Sequence, residues 1–269
     1  MCELFAMSSR QPATINLSLE TLAKHGGLTG PYNDGWGIGY YEDNDVQLFR
    51  EPAPASQSEW VRFIEEHDLR SRMVMSHIRR ASAGEPLLKN TQPFGRELGG
   101  RMHLFAHNGN LKDIRRVKTG SLGLHRPVGA TDSEYAFCIL LAQLENLWLT
   151  SDEPPQLLER FRIVRDFAAE LRPLGSANFL YADGDVLFAH GHRRRRSDET
   201  VWSPGLCILR RHCPSEAPAF RAAGVTVTPD SQKVLLIASV PLTEEAWCPL
   251  AEGEVVAVKD ADIMLRENP

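Results

Sequence analysis

Short runs of apolar residues, bounded by Gly, Pro, Asn or Asp, dominate the pattern of hydrophobic and polar positions along the chain. Runs of this length, flanked by residues that favour turns, are typical of β-strands. The pattern predicts strands at residues 3–7, 37–41, 46–49, 73–77, 102–106, 177–181, 186–189, 234–240 and 255–258. The alternating glycines of residues 35–39 lack the spacing and following helix of a dinucleotide-binding loop. They predict a close-packed strand beside Cys2.

Two long helices are predicted among these strands. In residues 133–148 the apolar side chains recur at the spacing that places them on one helical face, namely Ala136, Phe137, Leu140, Leu141 and Leu144. Thr131 and Glu134 stand at its start as a capping box, in which each side chain accepts from a free backbone amide. Residues 155–171 carry the second helical pattern.

The remaining patterns indicate how the elements are arranged. Two shorter helices are predicted near residues 17–25 and 58–67. Residues 182–185 form a turn sequence between two apolar runs, which predicts a hairpin of adjacent antiparallel strands. Because no repeat and no long linker divides the chain, we expect one α+β domain over residues 1–269.

Composition and charge narrow the class of protein. The 269 residues are 42% hydrophobic and 24% charged, as in a globular chain with a substantial core. A formal net charge of -5 gives no field that attracts nucleic acid or anionic membranes, so neither partner is predicted. The chain has no membrane-spanning apolar run and no signal-peptide pattern at its start. Five cysteines, an odd number, fit reduced thiols in a cytoplasm, which is the predicted location.

Cys2 is the first candidate for chemistry. A methionine followed by a small residue is a context in which the initiator is removed, and removal exposes the α-amino group of Cys2 beside its own thiol. Such an amine has an unperturbed pKa of roughly 8, so it is able to accept the thiol proton near neutral pH. Taken alone, the dipeptide favours an ordinary surface or strand cysteine.

Three further segments combine polar residues with the ends of predicted elements: residues 76–82 (SHIRRAS), 105–111 (FAHNGNL) and 131–134 (TDSE). Together with Cys2, and in this order, they resemble the class II glutamine amidotransferases. Residues 34–41 (DGWGIGYY) and 90–94 (NTQPF) are similar to the stand-alone, YafJ-like branch, in which no synthetase is fused to the glutaminase domain. The resemblance extends over nearly the whole chain.

This resemblance implies a fold and a reaction. The fold is the Ntn-hydrolase fold, a four-layer αββα sandwich of two antiparallel sheets between helices. The reaction is hydrolysis of the glutamine side-chain amide to glutamate and ammonia, through a γ-glutamyl thioester on Cys2. The α-amine of Cys2 would transfer the proton, and neither a metal nor a cofactor is predicted.

The residue types suit the steps of this reaction. A thiolate that attacks a carboxamide creates an oxyanion, which needs fixed hydrogen-bond donors. The side-chain NH2 of Asn108 and the backbone N–H of Gly109 fit that need, since glycine permits close approach. Arg79 resembles the bidentate clamp for the α-carboxylate of glutamine, and Ser82 stands where the family has a threonine beside it. Asp132 resembles the acceptor for the α-ammonium group.

The acceptor side departs from the family pattern. Arg80 stands where many relatives have tryptophan, and Ala83 stands where the sugar-phosphate-linked relatives have histidine. The resemblance therefore does not extend to contacts with the substrate of a fused synthetase. A separate synthetase or acceptor protein is the partner that would use the ammonia.

Each motif also has a purely structural interpretation. Asp132 alone fits a first-turn acid stabilised by the helix dipole. Arg79 and Arg80 fit a solvated pair, and residues 108–109 fit a type I′ turn between strands. Only the combination of the motifs favours a site.

Two polar groups outside these motifs are interpreted as structural. Residues 193–196, four arginines followed by Ser-Asp-Glu, predict a solvated, self-neutralising loop, with partner binding as the alternative. The histidines and cysteines of the second half lack the paired spacing of a metal site; they are His190, His192, Cys207, His212 and Cys213.

Other functions stay open at this point. A hydrolase of another γ-glutamyl bond, in a dipeptide or a sulfoxide, would use Arg79 and Asp132 in the same way, and a substrate comparison separates the two. A regulatory glutamine-binding subunit with little turnover would retain Met1. The bile-salt and penicillin amidase branch also begins at cysteine, but it lacks this His-Asn-Gly and Asp pairing.

Overall fold

A computed structural model describes residues 2–14, 34–67, 69–79, 85–118, 120, 122–150, 152–195, 201–202, 205–213, 220–222, 225–227 and 232–268. Met1, the helix predicted near residues 17–25, Arg80, Ser82 and Ala83 lie outside these ranges. In the described part of the chain, no helix has the length and apolar character needed to cross a membrane.

The described strands are β1 (Glu3–Thr14), β2 (Trp36–Glu42), β3 (Asp45–Glu51), β4 (Arg70–Ile78), β5 (Phe94–Leu98), β6 (Arg101–Leu111), β7 (Gly175–Ala182), β8 (Leu187–His190), β9 (Arg194–Arg195), β10 (Val201–Trp202), β11 (Cys207–Cys213), β12 (Phe220–Ala222), β13 (Val225–Val227), β14 (Gln232–Ala238), β15 (Cys248–Pro249), β16 (Val255–Lys259) and β17 (Asp262–Glu267). All nine predicted strands are present, and seven of them extend beyond the predicted run, whereas β8 and β14 keep the predicted length and are shifted by one or two residues.

Each predicted helix that lies within the described residues is present at its predicted position. The described helices are α1 (Glu59–Glu66), α2 (Ile114–Val117), α3 (Asp132–Trp148) and α4 (Leu157–Leu171), with 3-10 turns at Ala55–Gln57, Leu88–Asn90 and Arg172–Leu174. The short helix α2 was not predicted, since a single turn leaves too few positions for a helical period.

Two antiparallel sheets contain thirteen of the seventeen described strands, and the other four form two separate pairs, β9 with β10 and β12 with β13. The first has seven strands in the order β15-β11-β14-β1-β4-β2-β3, and the second has six in the order β17-β16-β8-β7-β6-β5. The predicted hairpin is confirmed: β7 pairs antiparallel with β8, and Ala182 lies opposite Leu187. Gly184 adopts a φ of +83° in this turn, a conformation that glycine adopts without steric cost.

The two sheets stack face to face, with helices on both outer faces. Successive side chains of a strand point to opposite faces. In β1, Leu4 therefore packs between the sheets, whereas Phe5 packs on the outer side with Val61 and Ile64 of α1. On the opposite side, α3 and α4 cover the six-stranded sheet through a core that includes Phe137. The predicted αββα sandwich is thereby confirmed.

Three substantial strands were missed by the sequence patterns. β5 and β17 are edge strands of the six-stranded sheet, and half-exposed edges carry charged residues that interrupt an apolar run. β11 lies inside the seven-stranded sheet, but its second half, Arg-Arg-His, is polar. The segment 35–39 was also misplaced, because β2 pairs with β4 and β4 separates it from β1.

Candidate active site

The register of β1 and β4 places Cys2 and Arg79 at the same end of the seven-stranded sheet. Glu3 pairs with Ile78, so the next residue of each strand, Cys2 and Arg79, lies just beyond this pair. Arg79 is 3% exposed. Its Nη1 donates to the carbonyls of Asp34 and Glu85, both at 3.2 Å. The interpretation of Arg79 as a solvated residue is therefore wrong, while Arg80 lies outside the described residues.

Asn108 brings the second sheet to the nucleophile candidate. Its Nδ2 donates a short hydrogen bond to the backbone carbonyl of Cys2, and it lies 3.5 Å from Oγ of Ser239. The side chain is buried, and its Oδ1 has no hydrogen-bond partner among the described residues. A type I′ turn at residues 108–109 is ruled out, since Asn108 and Gly109 lie within β6, opposite Asn178 and Ala177 of β7.

The backbone of Gly109 points away from β7. The side chain of Gln92 bonds to the backbone of His107 on the side away from β7, as a neighbouring strand would. Its Oε1 accepts from His107 N at 2.6 Å, and its Nε2 donates to His107 O at 3.3 Å. Backbone polar groups in an antiparallel strand alternate in direction from one residue to the next. Two residues further on, the N–H of Gly109 is thus directed to the same side as that of His107, beyond the end of β5.

Glycine is required at position 109 by close packing. A Cβ atom there would lie 1.7 Å from the carbonyl oxygen of Ser176 and 2.7 Å from Nε2 of His107. His107 is fixed on both sides, because its Nε2 donates to Ser176 O at 3.2 Å and its Nδ1 accepts from Ser133 Oγ at 2.9 Å. Burial lowers the pKa of His107, which favours the neutral ring, although the nearby charge of Asp132 opposes this shift.

Asp132, the first residue of α3, lies beside the last residue of β6. Its Oδ2 accepts from the backbone N–H of Leu111 at 2.7 Å, and its Oδ1 accepts from Ser133 N at 2.9 Å. Leu111 is three residues beyond Asn108 on the same strand. Cys2 and Arg79 thus stand at neighbouring strand ends, Asn108 contacts Cys2, and Asp132 contacts the strand that carries Asn108. Ser82 lies outside the described residues.

The predicted capping box is only half correct. Thr131 Oγ1 accepts from Glu134 N at 3.2 Å, as expected for an N-cap. The carboxylate of Glu134 does not return to Thr131. It accepts instead from Val128 N at 3.0 Å and Gly129 N at 2.6 Å, and it forms a short ion pair with Arg96. Glu134 thereby holds the loop that leads to Asp132.

Three polar residues near the site were missed by the sequence patterns. Ser239 bonds to β1 at Leu4, as its Oγ accepts from Leu4 N at 3.0 Å. Arg194 donates to Ser239 O at 2.7 Å and pairs with Glu3, so the prediction of a solvated loop is wrong at this position. Asn178 lies fully buried opposite Asn108. The one feature of the sequence that could have indicated these residues is the presence of a polar residue inside or beside an apolar run.

The described cysteines differ in how deeply their thiols are buried. Burial raises the pKa of Cys138 to about 11 and that of Cys207 to about 12, so both are protonated and unreactive near neutral pH. Cys2 is half-buried, and Cys248 is exposed. Behind the site, burial lowers the pKa of His77 to about 3, with smaller contributions from His107 and Arg79. The neutral His77 ring is unsuited to donating a proton.

Metal coordination has no visible basis in the described ranges. Within them, no group of three or more His, Cys, Asp or Glu side chains is arranged to hold an ion. His190 and His192 stack at 5.9 Å between ring centroids, and Nδ1 of His190 donates to Ala177 O at 2.7 Å. These rings therefore contribute to packing behind the site.

Comparison with known proteins identifies the family of the chain. The family model "Glutamine amidotransferases class-II" matches residues 1–269. YafJ of Escherichia coli (strain K12) is 36% identical over 260 residues, covering 94% of this chain and 96% of its own. A crystal structure of a predicted glutamine amidotransferase from Pseudomonas aeruginosa PA01 superposes with a TM-score of 0.71 at 33% identity, covering 98% of this chain and 100% of that one.

A more distant relative supports the fold alone. The glutamine phosphoribosylpyrophosphate amidotransferase of B. subtilis superposes with a TM-score of 0.61 at 14% identity, covering 99% of this chain and 49% of that chain. The matching family model extends over the whole chain, and the full-length relative YafJ exceeds 30% identity. The chain therefore belongs to the class II glutamine amidotransferases.

Proposed function

We propose that this protein hydrolyses the side-chain amide of glutamine to glutamate and ammonia, with Cys2 as the nucleophile after removal of Met1. The observation that carries the proposal is the hydrogen bond from Asn108 Nδ2 to the backbone carbonyl of Cys2. It brings a side-chain amide donor, anchored in the second sheet, to the residue whose thiol would attack. An oxyanion formed beside Cys2 would therefore develop next to a preorganised donor.

The reaction proceeds in two steps. The Cys2 thiolate attacks the amide carbon, and the resulting oxyanion accepts hydrogen bonds from Asn108 Nδ2 and the Gly109 N–H. The C–N bond then breaks, and the α-amine of Cys2 delivers the thiol proton to the departing nitrogen, which leaves as ammonia. Water attacks the γ-glutamyl thioester, its proton passes through the same amine, and glutamate and the free thiol are released.

Substrate orientation is assigned to two charged residues. Arg79 binds the α-carboxylate, since a guanidinium forms paired hydrogen bonds with a carboxylate. Asp132 binds the α-ammonium group. Arg79 directly follows the last residue of β4, and Asp132 is hydrogen-bonded to the end of β6, so the two charged side chains come from the ends of two different sheets. Ser82 is proposed to assist at the carboxylate.

The test uses purified protein whose intact mass shows that Cys2 is N-terminal. We expect release of glutamate and ammonia from glutamine, together with labelling of the N-terminal peptide by 6-diazo-5-oxo-norleucine. Cys2→Ser is expected to abolish both, whereas Cys248→Ser, which replaces an exposed thiol, is expected to retain them.

Other outcomes decide between the alternatives. Turnover of γ-glutamyl dipeptides with no turnover of glutamine would assign the site to a different γ-glutamyl bond. Glutamine binding without turnover, in a chain that retains Met1, would indicate a regulatory subunit. Neither turnover nor labelling in the processed protein would overturn the proposed reaction.

A further inference from the structure

Asn178 is a buried amide directly behind the Asn108–Gly109 peptide. It lies on β7 opposite Asn108 and is fully buried. The rest of this strand segment, from Ala177 to Ala182, is apolar or aromatic. A polar side chain at such a position costs free energy unless its hydrogen bonds are satisfied, so its partners indicate why it is there.

The Asn178 side chain bonds to three backbone groups in two segments of the chain. Its Nδ2 donates to the carbonyl of Asn108 at 3.2 Å and to the carbonyl of Arg193 at 2.8 Å. Its Oδ1 accepts from the backbone N–H of His192 at 2.7 Å. Both donors and the acceptor are thereby used, and the two contacts with residues 192–193 prevent the amide from turning away from Asn108.

Gly205 provides the space for this arrangement. A Cβ atom at position 205 would lie 1.6 Å from Oδ1 and 2.9 Å from Nδ2 of Asn178. Any larger residue would force the amide out of its present position. The environment of Asn178 thus permits one placement of the side chain.

The carbonyl of Asn108 belongs to the same peptide unit as the N–H of Gly109. A trans peptide is planar, and its C=O and N–H point in opposite directions. A donor that fixes the Asn108 carbonyl therefore also fixes the direction of the Gly109 N–H. The same bond polarises the peptide, and hydrogen bonds linked in this way strengthen one another by an estimated ~10–30% each.

We propose that Asn178 is a positioning residue for the oxyanion hole, which aligns and polarises the Gly109 N–H through the carbonyl of Asn108. The inference rests on the proposed function and extends it, because it names the residue that prepares one of the two donors. Asn178 itself does not contact the substrate. Its effect is confined to the two steps in which an oxyanion forms, the attack of the thiolate on the amide and the attack of water on the thioester.

The test compares Asn178→Ala and the isosteric Asn178→Asp with Gln232→Ala. Gln232 is a matched control, a buried amide whose Oε1 accepts from Gln11 N at 3.1 Å near the far end of β1. Both Asn178 variants are expected to lower kcat by roughly 10- to 100-fold, somewhat less than loss of an oxyanion donor. KM is expected to stay within about twofold, because Arg79 and Asp132 are unchanged. Gln232→Ala is expected to retain wild-type kcat.

Two readouts separate positioning from general destabilisation. Alkylation of Cys2 by iodoacetamide forms no oxyanion, so its rate is expected to be equal in wild type and Asn178→Ala. In protein labelled with 15N-glycine and 13C-carbonyl asparagine, the Gly109 amide resonance is identified by its coupling to the preceding carbonyl, because residues 108–109 are the one Asn-Gly pair in the sequence. This resonance is expected to move in both Asn178 variants and to stay in place in Gln232→Ala. This second readout requires no turnover.

The outcomes distinguish the two proposals. A wild-type protein without turnover of glutamine or γ-glutamyl compounds would overturn the proposed function, while the Gly109 resonance would still report on Asn178. Unchanged kcat in the Asn178 variants, or an unmoved Gly109 resonance, would overturn the positioning role. Equal losses of kcat and alkylation rate would assign Asn178 to general stability and would also overturn it.

Discussion

Arg194 and Glu3 form an ion pair, with 2.5 Å between Nη2 and Oε1, that fastens β9 to the residue next to Cys2. The same guanidinium donates through Nη1 to the carbonyl of Ser239 at 2.7 Å. Ser239 in turn exchanges hydrogen bonds with Leu4, as Leu4 N donates to Ser239 Oγ and Ser239 N donates to Leu4 O, both at 3.0 Å. The start of β1 is thus held at Glu3 by an ion pair and at Leu4 by two hydrogen bonds.

This contact predicts a measurable coupling. In a double-mutant cycle of Arg194→Met and Glu3→Gln, we expect a coupling of about 1–3 kcal/mol in the free energy of unfolding, because both side chains are largely buried. The exposed pair Arg165–Glu267 is the control, and its coupling is expected to be clearly smaller because solvent screens both charges. Urea unfolding measures both, and equal couplings for the two pairs would contradict the prediction.

Replacement of Asp132 is expected to weaken substrate binding. Asp132→Asn keeps an oxygen that accepts from Leu111 N, but it removes the charge proposed to bind the α-ammonium group. A hydrogen bond to a charged group contributes about 1.5–3 kcal/mol, so KM for glutamine should rise by roughly 10- to 100-fold. Glutaramate, which lacks the α-amine, is the matched substrate. If its kcat/KM falls as much as that of glutamine, Asp132 does not bind the ammonium group.

Gly109→Ala is expected to destabilise the fold and abolish turnover together. The added Cβ meets the backbone of Ser176 at 1.7 Å, and a rigid backbone is unable to yield without distorting β6. Gly120→Ala is the control, because a Cβ at that position has no atom within 4 Å. Thermal unfolding and glutamine turnover are measured for both. Wild-type behaviour of Gly109→Ala would show that this close packing is absent.

The buried histidines predict acid sensitivity of the fold. Burial lowers the pKa of His103, His77 and His190 to about 3, whereas an unfolded histidine titrates near pH 6.5. Between these values the unfolded chain binds more protons than the native protein. Their stabilising contribution is therefore complete above about pH 6.5, and it falls with decreasing pH by up to about 1.4 kcal/mol per pH unit for each ring.

His103 tests this dependence away from the site. Its Nε2 donates to Leu98 O at 3.1 Å, and its Nδ1 accepts from Tyr181 Oη at 2.7 Å, so the neutral ring is fully bonded. In His103→Asn, the free energy of unfolding should decline less steeply between pH 6.5 and 4.5 than in wild type. Urea titrations at several pH values measure this slope. An unchanged slope would mean that His103 does not remain neutral in the folded protein.

Helices and strands could be predicted from the sequence wherever buried and exposed positions recur with a regular period. The stripe from Ala136 to Leu144 predicted α3 because a helix that covers a sheet needs one continuous apolar face. The edge strand β17 was missed because its side chains are mostly exposed, so burial imposed no period on its sequence. The carboxylate of Glu134 was assigned to the wrong amide for a related reason. The four-residue motif gives no indication that the folded chain brings Arg96 and residues 128–129 into contact with the Glu134 carboxylate.

The sequence by itself determined the family, through Cys2, Arg79, the Asn108-Gly109 pair and Asp132 in their order along the chain. The tertiary structure alone decided how these segments meet, since the contact between Cys2 and Asn108 joins positions 106 residues apart and depends on strand register. Arg194, Ser239 and Asn178 became visible only there. These residues matter because of the backbone groups to which they bond. The order of residues along the chain does not show which groups the stacking of two sheets brings together.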